Sequence, residues 1–306
     1  MVDKVQKIWL DGEFINWDDA TVHVLTHSLH YGLGGFEGIR AYKRANGQTS
    51  VFRLREHIDR LFDTCKMCLL QCKFTKDQMV TACVETLRQN GMSEGYLRPM
   101  IFLGEGAMGI YAPNNPVRAT VIAWKWGAYL GEDALKTGIR AKISSFARHH
   151  INVSLAKGKI MGQYTGSVIA KREAKFGGYD EAILLDANGF VSEGSGENIF
   201  IVKKGVLHTP DLSSSILEGI TRDTVLTLAR EEGIPVHEGR ITRDQLWLAD
   251  EAFFTGTAAE VTPIREVDNR PIGEGTPGPI TRRLQERYFD VVRGGDTSHV
   301  EWLTKV

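Results

Sequence analysis

The chain has 306 residues, and its 37 Lys and Arg against 38 Asp and Glu give a formal net charge of −1. This balance excludes a nucleic-acid or anionic-membrane partner attracted by bulk charge. The composition, 42% hydrophobic and 25% charged, is that of a globular protein long enough for two domains. The N-terminus lacks a signal-peptide core, and no apolar run reaches the ~20 residues that cross a bilayer, so we expect a cytoplasmic protein.

The first half of the chain predicts a small domain of helices and strands. In chain order, the patterns predict strands over 8–17 and 20–25, helices over 55–72 and 76–90, and strands over 96–103 and 117–126. The short strands over 8–17 and 20–25 are expected around an Asp11-Gly12 turn, as an N-terminal hairpin, and Asn90-Gly91 predicts the end of the second helix. Residues 104–110 are too rich in glycine for a helix, so we expect a loop.

The second half predicts hairpins and separate helices after a polar connection. In chain order, the patterns predict a strand over 138–146, a helix over 164–176, hairpins over 181–192 and 198–208, and a helix over 221–232. Antiparallel strand signals with separate helices indicate an α+β fold, not a doubly wound parallel sheet. We expect one domain over 1–126, a connection over 127–137 and a second domain over 138–306.

Three of the four cysteines lie close together, at Cys65, Cys68 and Cys72. A C-x-x-C spacing is compatible with a metal site. However, these cysteines recur with Leu61 at helical spacing, free cysteine packs as a small hydrophobe, and Cys83 stands alone. The nine histidines also show no ligand pattern. We therefore expect core packing and no metal site.

A lysine and a glycine-flanked carboxylate mark the second half as chemically active. Lys159 lies among Gly and Met residues, and Ser192-Glu193-Gly194 follows a predicted strand. A lysine amine can bond to an aldehyde, and a carboxylate beside small residues can meet a flat ring closely. Lys157 competes evenly with Lys159 on composition alone. Glu197 is the rival of Glu193, but it is better suited to supporting its loop.

Two small-residue loops can bind a phosphate. Gly219-Ile220-Thr221 precedes a predicted helix, whose N-terminal N–H groups attract anions, and Thr221 can serve as N-cap or as phosphate ligand. Thr255-Gly256-Thr257-Ala258 follows an apolar run and can form a second N–H cradle. With the lysine and the carboxylate, these loops provide the parts that hold pyridoxal phosphate, whose protonated pyridine ring accepts electrons.

Three arginines are candidates for binding a carboxylate or a phosphate, namely Arg40, Arg60 and Arg98. Arg60 lies on the 55–72 helix, where a solvated charged face is the competing explanation. Arg98 lies in an otherwise apolar strand, which is unusual for a charged residue.

The stretch Tyr31-Gly32-Leu33-Gly34-Gly35-Phe36-Glu37-Gly38-Ile39-Arg40-Ala41-Tyr42 resembles the N-terminal signature of class IV, D-amino-acid-aminotransferase-type enzymes. The similarity runs from about residue 8 to residue 290. The segments over 181–198, 219–222 and 256–258 resemble the class, while 126–131 and 107–110 resemble its branched-chain amino acid aminotransferases. This resemblance implies fold type IV, with a small α/β domain and a larger pseudo-barrel domain. It also implies a homo-oligomer, a dimer or hexamer, whose active sites lie at the domain junction and are shared between subunits.

The resemblance further implies which residues bind pyridoxal 5'-phosphate. Lys159 becomes the covalently bonded lysine, because Tyr164, five residues later, matches the family tyrosine at the cofactor's phenolic oxygen. Glu193 is implied at the pyridine nitrogen and Leu217 against the ring. The phosphate is implied to contact Arg60, Ile220, Thr221 and Thr257, with Gly219 and Gly256 in the same loops.

Substrate residues are implied in the same way. The side-chain pocket is implied to include Phe36, Trp126, Tyr129 and the Ala107–Ile110 loop, with Met108, Gly109 and Ile110 as its substrate residues. Gly38 and Arg40 are further substrate-binding candidates. Thr257, Ala258 and Tyr96 are implied to bind the α-carboxylate, and Arg98 and Tyr31 the second carboxylate of glutamate or 2-oxoglutarate. Tyr31 and the 108–110 loop would come from the neighbouring subunit.

The expected activity is transamination between branched-chain L-amino acids and 2-oxoglutarate, with Lys159 moving the proton at the substrate Cα. A D-amino acid aminotransferase and an aminodeoxychorismate lyase of the same fold are the alternatives. Gln163 replaces a frequent asparagine of the family, and Leu33-Gly34-Gly35 is smaller than in many relatives. A wider pocket at these small residues would relax the preference for Leu, Ile and Val.

Overall fold

A computed structural model describes residues 2–127 and 129–306 of the chain. They form two compact units, the first made of Met1–Trp126, Gly158–Gln163 and Val291–Val306, and the second of Gly127–Lys157 and Tyr164–Asp290. The segments over 158–163 and 291–306, which the sequence division assigned to the second domain, thus cluster with the first.

The described strands are short and numerous. They are β1 Lys7–Leu10, β2 Glu13–Asn16, β3 Gly34–Phe36, β4 Ile39–Lys43, β5 Thr49–Phe52, β6 Gly95–Leu103, β7 Val117–Trp124, β8 Ile139–Ile143, β9 Glu181–Leu185, β10 Val191–Gly194, β11 Asn198–Lys203, β12 Val206–Thr209, β13 Val236–Glu238, β14 Glu251–Gly256, β15 Glu260–Val267, β16 Arg270–Pro271 and β17 Leu303–Lys305.

The described α-helices are fewer and longer. They are α1 His27–Tyr31, α2 Leu54–Met67, α3 Lys76–Gln89, α4 Glu132–Thr137, α5 Tyr164–Phe176, α6 Ile220–Glu231, α7 Arg243–Trp247 and α8 Pro279–Val292. None of the helices in the described ranges has the length and apolar character needed to span a membrane.

The first unit contains an antiparallel sheet in the order β17-β5-β4-β6-β7-β1-β2, with β3 beside β6. Helices α2 and α3 pack together and against this sheet. Leu54, Ile58, Leu61 and Cys65 recur every three or four residues along α2 and are all buried, because this spacing places them on one helix face. Burial raises the pKa of the Cys65 thiol to about 12, so this cysteine is an unreactive core residue.

Two predictions for the first unit were wrong, one about the presence of a strand and one about the end of a helix. The predicted strand over 20–25 does not form, and a single 3-10 turn at Trp17–Asp19 follows β2 instead. The predicted helix over 55–72 ends at Met67, because Leu69 takes a left-handed backbone conformation with φ of 56° that no helix continues.

The second unit contains a mixed sheet in the order β10-β9-β8-β15-β14-β11-β12-β13, with β16 beside β15. The predicted helix over 164–176 matches α5, and both predicted hairpins are present as β9–β10 and β11–β12. The connection predicted over 127–137 contains the short helix α4. Parallel pairs occur at β8–β9, β8–β15 and β12–β13, and the remaining pairs are antiparallel, as an α+β fold requires.

Candidate active site

The sequence-predicted site residues are divided between the two units. The first unit holds Tyr31, Phe36, Gly38, Arg40, Arg60, Tyr96, Arg98, Met108, Gly109, Ile110, Trp126 and Lys159. The second unit holds Tyr129, Tyr164, Glu193, Leu217, Gly219, Ile220, Thr221, Gly256, Thr257 and Ala258.

Lys159 is fixed through its main chain in the first unit. Its N–H donates to Thr64 Oγ1 on α2 at 3.0 Å, and its carbonyl accepts from the Phe36 N–H at 3.1 Å. The next residue, Ile160, forms an antiparallel bridge with Gly35. The Lys159 amine lies 5.1 Å from the centroid of the Phe36 ring. These bonds hold Lys159 against α2 and β3, with its amine beside an aromatic ring.

Lys157, its competitor, has a different environment in the second unit. Its amine donates to the carbonyls of Leu212 and Ile216, at 2.6 and 3.0 Å. Burial lowers the pKa of Lys157 below its ordinary value. With two carbonyl partners, its amine is engaged in holding the loop before α6.

Arg98 lies on β6 within an aromatic cage. Its guanidinium carbon lies 4.8 Å from the ring centroid of Phe36, 5.4 Å from Tyr96 and 5.6 Å from Trp124. Its Nη2 reaches the Tyr96 hydroxyl at 3.4 Å, and its buried Nε has no hydrogen-bond partner among the described residues. A cation so placed packs against aromatic rings and retains a donor for an anionic ligand.

Tyr96 connects this cage to two further candidates. Its ring packs edge-on against Trp126, with centroids 4.7 Å apart. A Cβ placed on the buried Gly38 would lie only 1.7 Å from the Tyr96 hydroxyl oxygen, so any side chain at this position would displace the Tyr96 ring. Arg40 on β4 pairs in register with Tyr96 on β6. The first unit therefore brings these residues together around Arg98.

Tyr31 and the 108–110 loop are joined to each other. The Tyr31 hydroxyl donates to the Met108 carbonyl at 2.8 Å, and His27 Nε2 lies 2.9 Å from the Gly109 carbonyl. Ile110 at the loop tip is 87% exposed. The predicted substrate residues of this segment therefore form one substructure, with an apolar side chain facing outward.

Arg60 is held by Glu37, which in turn contacts His57, and the sequence assigned neither residue a role. Its Nε and Nη2 donate to the two carboxylate oxygens of Glu37 at 2.7 and 2.8 Å, and His57 Nδ1 lies 2.7 Å from Glu37 Oε2. Burial alone would raise the pKa of Glu37, but the charge of Arg60 and the hydrogen bonds outweigh burial and hold the pKa well below its ordinary value. Burial lowers the pKa of His57, so this ring is neutral near pH 7.

Glu193 on β10 is held on both oxygens in the second unit. Oε1 forms an ion pair with Arg148 Nη2 at 2.7 Å. Oε2 accepts from the Asn198 side chain at 3.1 Å and from the Leu217 N–H at 3.0 Å. The sequence offered no motif for Arg148, which lies 45 residues before its partner. These contacts fix the orientation of the buried Glu193 carboxylate and place Leu217 beside it.

The first phosphate candidate is the N-terminus of α6. The helix begins at Ile220, so its N-cap is Gly219, and the prediction of Thr221 as N-cap was wrong. Thr221 is buried in the first turn, where the N–H groups lack intrahelical acceptors. A Cβ on Gly219 would lie 1.9 Å from Asn198 Oδ1, so glycine is needed for this approach.

The second phosphate candidate is the turn between β14 and β15. Gly256 ends β14, and Thr257 and Ala258 lie in the turn that follows. The hydroxyl of the preceding Thr255 is buried and has no hydrogen-bond partner among the described residues. An unpartnered hydroxyl beside a tight turn suits an anion-binding cradle.

Glu197 lies beneath this turn, and its Cγ is the nearest atom to a Cβ placed on Gly256, at 3.5 Å. Burial and the neighbouring Glu181 carboxylate raise the pKa of Glu197 to about 8. Glu181 forms an ion pair with Lys171 and accepts from the Ser195 hydroxyl at 2.6 Å. Glu197 is therefore a buried acid, and its Oε2 accepts from the Gly196 N–H of its own loop at 3.0 Å.

Tyr164 and Tyr129 are placed by neighbouring elements of the second unit. Tyr164 begins α5. Tyr129 precedes α4, and the Lys171 amine lies 5.1 Å from its ring centroid.

Among the residues that the structure describes, no group of three or more His, Cys, Asp or Glu side chains is arranged to hold a metal ion.

Comparison with known proteins gives consistent matches over the whole chain. Residues 34–267 match the family described as amino-transferase class IV. The branched-chain-amino-acid aminotransferase of Pseudomonas aeruginosa is 52% identical over 306 residues, which cover 100% of this chain and 99% of that protein.

Solved structures agree. The crystal structure of the Escherichia coli branched-chain amino acid aminotransferase matches with a TM-score of 0.96 and 44% identity, covering 98% of this chain and 99% of that one. The branched-chain amino acid aminotransferase from Thermobaculum terrenum, solved in its PLP form, matches with a TM-score of 0.92 and 36% identity, covering 99% of this chain and 98% of that one.

These matches confirm the predicted family and the predicted fold type IV architecture. Enzymes of this class depend on pyridoxal phosphate and act on amino acids and 2-oxo acids. The chain is therefore an aminotransferase and belongs to the class IV aminotransferase family.

Proposed function

We propose that this chain transfers the amino group between the branched-chain L-amino acids Leu, Ile and Val and 2-oxoglutarate, with pyridoxal 5'-phosphate as cofactor. The observation that carries the proposal is Arg98 in its aromatic cage, with a buried Nε that lacks a partner among the described residues. One site must accept both an apolar branched side chain and a carboxylate. Aromatic walls around a guanidinium provide both kinds of contact.

The cofactor assignments belong to the same proposal. We assign Lys159 to the covalent bond, Tyr164 to the phenolic oxygen and Glu193 to the pyridine nitrogen, with Leu217 against the ring. The doubly held carboxylate of Glu193 supports this assignment, because a fixed negative charge stabilises a proton on the facing nitrogen. The phosphate is assigned to Arg60, Gly219, Ile220, Thr221, Gly256 and Thr257.

When bound, the cofactor supplies an electron sink for the negative charge that develops at the substrate Cα. Lys159 Nζ would take the proton from the substrate Cα and deliver it to the C4′ carbon of the cofactor, and such positioned proton transfer contributes ~10²–10⁴-fold in rate. Glu193 keeps a proton on the pyridine nitrogen during this transfer. The buried ion pair with Arg148 keeps Glu193 in place while it does so.

The substrate assignments follow the same chemistry. We assign the branched side chain to Phe36, Trp126, Tyr129 and the 108–110 loop, and we keep Gly38 and Arg40 as further substrate-binding residues. The α-carboxylate is assigned to Tyr96, Thr257 and Ala258, and the second carboxylate of 2-oxoglutarate to Arg98 and Tyr31. A planar guanidinium matches a carboxylate through two parallel hydrogen bonds, which selects the dicarboxylic substrate.

A homo-oligomer, a dimer or hexamer, belongs to the proposal, with Tyr31 and Met108, Gly109 and Ile110 contributed by the neighbouring subunit. The hydrogen bonds that join helix α1 to the 108–110 loop support this, because these residues can contact a neighbouring subunit together as one rigid segment. Ile110 and Tyr111 are 87% and 85% exposed, which suits side chains that a partner covers. A cytoplasmic location and a role in branched-chain amino-acid biosynthesis belong to the same proposal.

The test is the absorption spectrum of the purified full-length protein. We expect a cofactor band that collapses on addition of L-leucine and returns with 2-oxoglutarate. A band that responds only to D-amino acids would assign the chain to the D-specific alternative. Release of pyruvate from aminodeoxychorismate would assign it to the lyase.

Two lysine variants sharpen this test. Lys159→Ala should abolish the response to leucine, whereas Lys157→Met should retain it, because the Lys157 amine bonds loop carbonyls instead. Borohydride reduction followed by peptide mass mapping locates the bonded lysine independently of turnover. Label on Lys157, or a leucine response retained by Lys159→Ala, would contradict the assignment.

A further inference from the structure

A buried three-residue cluster in the first unit lies outside the roles assigned so far, except for Arg60. Glu37 is 0% exposed and His57 1% exposed, and the Arg60 side chain is 13% exposed. Burying a charge costs free energy unless it is paired and hydrogen-bonded. The cluster meets this requirement, because Glu37 and Arg60 compensate each other and His57 is neutral.

The bonds within the cluster determine the orientation of the guanidinium. Glu37 binds Arg60 through Nε and Nη2 in the two-pronged geometry of an arginine–carboxylate pair. Since the guanidinium is planar, holding two of its nitrogens also determines where Nη1 points. His57 precedes Arg60 by one helical turn and donates Nδ1–H to Glu37, because an ionised carboxylate can only accept.

The cluster is anchored to the elements that hold Lys159. The Glu37 N–H donates to the Pro99 carbonyl at 2.9 Å, next to Arg98. Thr64 Oγ1 donates to the Arg60 carbonyl and accepts from the Lys159 N–H, at 3.0 Å each. Arg60 is therefore rigid relative to Lys159 at both its main chain and its side chain.

We propose that Glu37 is a positioning residue, which holds the Arg60 guanidinium in the orientation that binds the cofactor's phosphate. This inference rests on the proposed assignment of Arg60 to that phosphate. An arginine side chain loses considerable rotamer freedom when it binds an anion, and a clamped guanidinium has lost that freedom on folding. The competing possibility is that Glu37 acts only as a negative charge, which would oppose phosphate binding.

The two possibilities predict opposite results for Glu37→Gln. Glutamine keeps the shape but removes the charge and one of the two acceptors for Arg60. If Glu37 positions Arg60, the affinity for pyridoxal phosphate falls. If Glu37 only opposes the phosphate, the affinity rises, because the positive charge of Arg60 is no longer compensated.

The experiment titrates full-length protein, freed of cofactor by dialysis, with pyridoxal phosphate and separately with pyridoxal, which lacks the phosphate. Fluorescence quenching gives the two dissociation constants, so no turnover is needed. We expect the preference of wild type for pyridoxal phosphate over pyridoxal to fall about 10- to 100-fold in Glu37→Gln, the range for losing a charge-assisted hydrogen bond. Affinity for pyridoxal should stay within about threefold.

A double-mutant comparison separates positioning from general damage. In an Arg60→Gln background, Glu37→Gln should produce no further change in the preference, because Glu37 acts through Arg60. His57→Leu, which removes the Nδ1–H donor to Glu37, should reduce the preference less than Glu37→Gln, and it replaces Glu37→Gln as the test if that variant does not fold. For His57→Leu alone, a preference equal to or above that of wild type would overturn the inference.

An unchanged or increased preference in a folded Glu37→Gln protein would overturn the inference and leave the proposed function standing. A wild-type protein that shows no preference for pyridoxal phosphate over pyridoxal would overturn both. An equal loss of affinity for both ligands would assign Glu37 a purely structural role.

Discussion

Replacing Arg98 with leucine should separate the two substrates of the proposed reaction. Leucine fits the apolar walls of Phe36, Tyr96 and Trp124, so contacts with a branched side chain are kept. What disappears is the guanidinium, whose Nε is buried without a partner among the described residues. The variant should therefore lose affinity for the substrate with a second carboxylate and little else.

The size of the effect follows from the state of Arg98 in the structure. A charge-assisted hydrogen bond contributes ~1.5–3 kcal/mol. A guanidinium held among three aromatic rings loses little further side-chain freedom on binding a carboxylate. A two-pronged pair should then contribute about 2–4 kcal/mol, which corresponds to about a 30- to 1,000-fold decrease in kcat/KM for 2-oxoglutarate. The value for L-leucine should change less than about threefold.

The assay measures the two half-reactions separately by rapid-mixing absorption of the cofactor band, one with L-leucine and one with 2-oxoglutarate. Arg98→Lys should give an intermediate loss, because an ammonium keeps the charge without the planar fork. Arg118→Leu is the matched control, since Arg118 lies on β7, pairs with Asp11 and should change neither half-reaction. An equal loss for leucine and 2-oxoglutarate in Arg98→Leu would refute the assignment.

Two further predictions concern a buried acid and a close approach of glycine. The pKa of Glu197 is raised to about 8 in the folded protein, which is above its value in the unfolded chain. The protonated acid therefore makes its full contribution to the free energy of unfolding below about pH 4.5. This contribution is lost as the pH rises towards 8, by at most ~1.4 kcal/mol per pH unit. Urea unfolding at pH 5.5 and 8.5 should show a smaller decrease for Glu197→Gln than for wild type, and equal decreases would contradict the protonated state. Gly38→Ala should raise KM for both substrates at least about tenfold in steady-state assays, because the new Cβ would lie 1.7 Å from the Tyr96 hydroxyl and must displace that ring. Gly166→Ala is the control, because a Cβ added at Gly166 in α5 has no atom within 4 Å, and this variant should raise Tm with unchanged KM. An unchanged KM for Gly38→Ala would contradict the prediction, because it would show that Tyr96 can move without affecting substrate binding.

Local patterns predicted the elements whose signals are contained within a few residues. The helix over 164–176 and the hairpin turn at Asn188-Gly189 are where the sequence placed them. The failures are equally local in origin. The left-handed residue Leu69 ends α2 early although helical spacing continues to Cys72, since burial on one face cannot maintain a helix past such a residue.

The candidate site shows where local information stops. Arginine, lysine and glutamate candidates could be listed from the chain, but composition alone left Lys157 and Lys159 even. Their distinct partners, loop carbonyls for one and Thr64 with Phe36 for the other, appear only in the fold. The pairing of Glu37 with Arg60 and of Arg148 with Glu193 was not predicted, because no local pattern connects residues so far apart in the chain.

The sequence by itself determined the family, the order of the chemical groups and the turn and helix signals next to them. These depend on residues adjacent in the chain, where backbone sterics and hydrogen bonding act over a few positions. Only the tertiary structure decided which side chains and main-chain groups become hydrogen-bond partners. Glu37 meets Arg60 across 23 residues and Lys159 meets Thr64 across 95. Such pairs form because burial forces polar groups to find partners wherever the packed chain places them, and that placement is a property of the whole fold.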